Sequence, residues 1–87
     1  MNPPRFAEAI RAATDALAHV PRVRSVVLFG SVARDTAKEE SDIDLFIDCD
    51  PDAEDAAWKT LVALGRRFGV EFSAIFYRPE ERESFDK

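Results

Sequence analysis

The sequence has one cysteine, one histidine and no surplus of positive charge. Cys49 has no second thiol to pair with, so no intramolecular disulfide can form. His19 is the only imidazole, which excludes a multi-histidine metal site. A Ser-His-Asp triad would have to use His19, at the end of an expected helix and away from any nucleophile motif. There it is read as a residue suited to the negative end of the helix dipole. Twelve lysines and arginines against 17 aspartates and glutamates leave a net charge of -5, without the basic face of a nucleic-acid platform. A nucleotide site stays open, because divalent cations supply positive charge locally. No apolar run approaches membrane-spanning length. Met1-Asn2-Pro3-Pro4-Arg5 has no apolar core behind it, as a secretory leader requires. A cytoplasmic location is expected. There are no internal repeats and no low-complexity segments.

The 87 residues are 46% hydrophobic and 33% charged, ordinary for a folded domain. One domain over residues 1–87 is expected, with 79–87 as a short helix or a frayed tail. Phe6, Ile10, Ala13, Leu17 and Val20 recur at helical spacing, so the first helix spans 4–20 and Pro21 ends it. The apolar run Val26 to Phe29 predicts a strand over 24–29 covered on both faces. Gly30 stops it, and a short helix follows over 31–37 with Ser31 as N-cap. Ile43, Leu45 and Ile47 alternate with Asp42, Asp44, Phe46 and Asp48 in a strand over 42–49. Asp50-Pro51 opens a helix to Phe68, buried through Ala57, Leu61, Leu64 and Phe68 and broadened by Trp58 and Val62. Gly69 closes it. Trp58 and Phe68 are read as core rather than as a surface for stacking a base. Residues 70–77 form a third strand. The class is α/β, a small sheet with helices packed on it. Strand order is open at this point, and a further short strand over 36–41 is allowed.

The chemistry concentrates between Gly30 and Asp44. Asp42 and Asp44 share one face of a strand, about 7 Å apart at Cα. Carboxylates so placed can hold Mg²⁺, which takes oxygen ligands and completes its shell with substrate phosphates. Taken alone, the same pair also suits a solvent-facing polar edge. Gly30 at the end of a strand lets a phosphate approach the backbone closely. Ser31 adds a hydroxyl, the following helix offers unpaired N–H groups, and Arg34 lies within reach of a triphosphate. A Gly-Ser turn by itself is common and says little.

The conjunction is more specific. Gly30-Ser31, ten residues, then Asp42-Ile43-Asp44, each part joined to an apolar strand, resembles the minimal nucleotidyltransferases of the DNA polymerase β-like superfamily. The resemblance covers about residues 6–77. It implies the palm-like fold of that superfamily, a small mixed sheet with helices packed on it. It implies that Gly30 and Ser31, with Arg34, bind the nucleotide phosphates. Asp42 and Asp44 would hold two Mg²⁺ ions. Glu71 matches a third carboxylate that completes one metal site and helps deprotonate the acceptor hydroxyl. On the residues alone, Glu71 reads equally as an exposed strand position. Two departures stand out: the third carboxylate is usually aspartate, and glycine often stands where this chain has Asp35. Stand-alone proteins of this size resemble the antitoxin half of paired systems. Their partners are small helical HEPN-type ribonucleases, and the transferase moves AMP from ATP to a tyrosine of the partner. The alternative is a catalytically weak or inactive module that neutralises its partner by binding.

Overall fold

A computed structural model describes residues 1–77. The tail expected over 79–87 lies outside the described residues. The element order is α1 (Pro4–Ala18), β1 (Val23–Phe29), α2 (Gly30–Ala33), β2 (Ile43–Cys49), α3 (Pro51–Phe68) and β3 (Phe72–Phe76). The strands form one mixed sheet in the order β1-β2-β3. β1 runs antiparallel to β2, and β3 parallel to it. The connection from β2 to β3 is long because parallel neighbours need a crossover, supplied by α3.

Helices α1 and α3 pack on each other and on one face of the sheet. Ile43, Leu45 and Ile47 of β2 point into this layer and are buried with Phe6, Leu17 and Leu61. The alternation expected for β2 is therefore present, with Asp44, Phe46 and Asp48 on the opposite, open face. Proline begins both α1 and α3, where its missing N–H costs no helical hydrogen bond. Gly69 ends α3 in the left-handed region, at φ 68°. His19 is the C-cap of α1, and its Nδ1 lies 2.8 Å from the Asp15 carbonyl oxygen.

Several expectations are corrected. α1 ends two residues early, and β3 is shorter than 70–77 at both ends. β1 is not covered on both faces: it is an edge strand, and Val27 is 52% exposed. Its run is continuously apolar because its open-face residue joins another apolar set. Val27 pairs with Phe46, and Phe46 with Ile75, giving one row across the open face. Trp58 and Val62 do not broaden a buried stripe; Trp58 is 44% exposed. The buried line of α3 is instead Ala53, Ala57, Leu61 and Gly65, at strict four-residue spacing. Those mostly small residues bring the helix close to its neighbours and leave the bulkier Trp58 outside the contact. Phe68 and Leu64 pack only partly against the core. Residues 36–41 form no strand; Ser41 N–H donates to the Lys38 carbonyl and Lys38 N–H to Ser41 Oγ, closing a turn.

Candidate active site

β1 delivers the chain to Gly30, and β2 begins beside it. The antiparallel register pairs Phe29 with Asp44, so the Gly-Ser turn and the second carboxylate of the Asp-x-Asp motif become neighbours. Gly30 adopts φ 75°, and a Cβ there would lie 3.0 Å from Asp44 Cγ and closer still to its Oδ2. The missing side chain is therefore the space that the Asp44 carboxylate occupies.

α2 starts at Gly30, with Phe29 as its N-cap. Ser31 is thus not the N-cap expected from sequence. It sits inside the first turn, and its hydroxyl has no partner among the described residues. The helix is four residues long, too short for an appreciable macrodipole; what it offers is a turn of N–H groups without intrahelical partners. Arg34 follows as the C-cap, exposed and likewise unpaired among the described residues.

Asp42 is exposed and immediately precedes β2, while Asp44 is half-buried on the strand. Neither carboxylate has a hydrogen bond or ion pair among the described residues. Two uncompensated carboxylates, one just before β2 and one on it, form an oxygen-only donor set. This set fits a hard divalent cation shared with substrate phosphates, and the space that a Cβ at Gly30 would fill is held by one of the two carboxylates.

Glu71 lies just before β3, exposed. Its carbonyl oxygen accepts from Ile43 N–H at 2.8 Å. The parallel register begins by pairing Ile43 with Phe72 and Asp44 with Ser73, so Asp42 and Glu71 are the residues that directly precede the first pair. Asp42 and Glu71 also line the same groove, about 770 Å³, walled by Trp58 and Val62 of α3. The three carboxylates are not gathered at metal-ligand spacing, and no such group of three occurs among the described residues. Asp48, further along the same face, is held by Arg24, which also grips Asp50. Asp50 first, then Asp48, holds the guanidinium proton more firmly than usual.

Asp35 shows why glycine suits its position. Its φ is 59°, in the left-handed region, which aspartate tolerates better than most side chains. Its carboxylate points neither at Lys38 nor into solvent alone: Oδ1 accepts the Asn2 backbone N–H at 2.9 Å. Asn2 and Ser73 carry no sequence signal that points to the site. Asn2 lies outside the motif, and Ser73 becomes the strand partner of Asp44 only through the register of a parallel pair.

Among the described residues no helix is long and apolar enough to cross a membrane. A model of the nucleotidyltransferase domain family matches residues 10–87. No curated protein and no solved structure matches the chain.

Proposed function

The chain belongs to the nucleotidyltransferase domain family, and from that premise we propose that it transfers AMP from ATP, with Mg²⁺, to a tyrosine hydroxyl of a small helical HEPN-type partner, as a cytoplasmic antitoxin. The observation that supports the transfer reading is the Gly30–Asp44 contact, which sets the Gly-Ser turn against a carboxylate with no protein partner among the described residues.

In this reading the β and γ phosphates lie against Gly30 and the first turn of α2. Their oxygens accept from backbone N–H groups and from Ser31 Oγ. Arg34 adds positive charge one turn further on. Asp42 and Asp44 are the residues that would hold two Mg²⁺ ions. When bound, these ions supply positive charge to the attacking and leaving oxygens of the displacement. The acceptor oxygen forms a bond to the α-phosphorus, the bond from that phosphorus to pyrophosphate breaks, and the acceptor proton passes to a carboxylate. Glu71, which lines the same groove as Asp42, is the residue assigned to receive it.

The position of Glu71 also favours a second reading. It stands outside the strand and is not gathered with Asp42 and Asp44. A module that binds its partner with little or no transfer would have this arrangement.

The test uses ATP labelled at the α-phosphate, Mg²⁺, the full chain and a small helical protein with an R-x4-6-H motif, taken from an adjacent reading frame if one encodes it. Label on a partner tyrosine, lost with Asp44→Ala, is the expected result. A tight complex of folded proteins without label would replace transfer by binding alone.

A further inference from the structure

Among the described residues Asn2 makes three hydrogen bonds, all to the segment between the Gly-Ser turn and Asp42. Its Nδ2 donates to the Val32 carbonyl at 2.8 Å, and its Oδ1 accepts from Ala37 N–H at 2.9 Å. Its backbone N–H donates to Asp35 Oδ1 at 2.9 Å. The amide can face only one way, because a carbonyl requires the NH₂ group and an N–H requires the oxygen. Asn2 is half-buried, and the adjacent Pro3 is buried. Arg5 extends the contact, donating to the Glu39 carbonyl at 2.9 Å and pairing with the Glu39 carboxylate.

What these bonds reach is a weak part of the chain. A single helical turn does not hold its shape unaided, and α2 has four residues. Beyond it the backbone turns through the left-handed Asp35. Asn2 adds a second donor to the Val32 carbonyl, which also accepts from Asp35 N–H at 3.1 Å, and takes up one N–H beyond the turn, so it spans both ends of that irregular stretch.

We propose that Asn2 is a positioning residue of the nucleotide site. It ties the end of α2 to the loop leading into Asp42, and so sets Ser31 relative to Asp42 and Asp44. This inference rests on the nucleotide-binding reading given above.

The test compares the full chain with Asn2→Ala, Asn2→Asp and Arg24→Ala. Arg24 holds the far end of the sheet through Asp48 and Asp50 and serves as a stability control. Amide exchange is read at Ala37 and across residues 30–36 by NMR, and Mg·ATP affinity by titration. In Asn2→Ala, Ala37 exchange should accelerate about tenfold and the Kd rise about tenfold, as expected for losing two side-chain hydrogen bonds. Asn2→Asp keeps the acceptor for Ala37 N–H and should restore protection there, with an intermediate Kd. Arg24→Ala should leave both readouts unchanged. Unchanged exchange at Ala37 in Asn2→Ala overturns the proposal. So does faster exchange with an unaltered Kd, or an equal loss of affinity in Arg24→Ala. If the unaltered chain does not bind Mg·ATP, the nucleotide reading falls on that result and the positioning role falls with it. Exchange at Ala37 then still decides whether Asn2 holds the segment.

Discussion

Gly30 and Asp44 occupy one space: a Cβ on the first would lie 3.0 Å from the carboxyl carbon of the second. The pairing of Phe29 with Asp44 in the antiparallel ladder brings them together. The glycine thus serves two requirements at once, a left-handed backbone and room for a carboxylate.

Gly30→Ala should fail on both counts. The left-handed conformation and the displaced carboxylate together should lower stability by about 2 kcal/mol. Urea unfolding measures that loss. Mg·ATP titration on the folded fraction should show affinity reduced as well. Native stability and affinity in this variant would remove the steric role assigned to Gly30.

Removing a carboxylate separates the role proposed for Asp42 and Asp44, holding metal, from that proposed for Glu71. Asp44→Ala and Asp42→Ala should each lower labelling of the partner by more than about 100-fold. Glu71→Gln should lower it by about 100-fold with little change in Mg·ATP affinity, because its assigned role is to accept a proton. A Glu71→Gln chain that labels at the full rate would take the base role away from this residue.

Asp35→Gly should fold and bind as the unaltered chain does, with stability within about 1 kcal/mol. Glycine takes the left-handed φ without strain, and the one bond lost is the acceptor for Asn2 N–H. Asp35→Val should be clearly less stable, since a β-branched residue is an outlier there. Thermal unfolding of the pair distinguishes backbone conformation from side-chain bonding as the constraint.

Cys49 is 2% exposed, and burial, followed by the charge of Glu54, pushes its thiol above the ordinary range. The folded chain holds this proton at pH values where the unfolded chain has released it. The corresponding stability is complete below the unfolded thiol pKa and is lost as pH rises through the folded one. Unfolding free energy should therefore decline at alkaline pH beyond the ordinary thiol range, and Cys49→Ala should flatten that decline. At neutral pH a thiol reagent should label Cys49 only after denaturation.

Much of the fold was legible because its signals are local. The alternation Ile43, Leu45, Ile47 marks a strand with one buried face. Asp50-Pro51 and Gly69 mark the ends of α3 through backbone preferences that operate within a few residues. Errors arose where burial depends on what lies across a layer. An apolar run on β1 reads as a buried central strand, yet it is an edge. Its open-face Val27 is apolar because it joins Phe46 and Ile75 in a row across the sheet. Trp58 has helical spacing suited to the core, but close packing through Ala57, Leu61 and Gly65 leaves it at the groove.

The chemical parts can be read along the chain: a glycine and serine ending one strand, two carboxylates two residues apart at the start of the next, and their spacing. These are properties of neighbours along the chain. How the parts meet depends on the folded sheet. Ladder register sets Gly30 against Asp44 and brings the start of β3, next to Glu71, beside the start of β2, next to Asp42. The return of the N-terminus onto residues 32–37 puts Asn2 within hydrogen-bond reach of α2 and its loop. Both relations join residues far apart in sequence, and hydrogen bonds between such residues leave no period or motif from which either could be read.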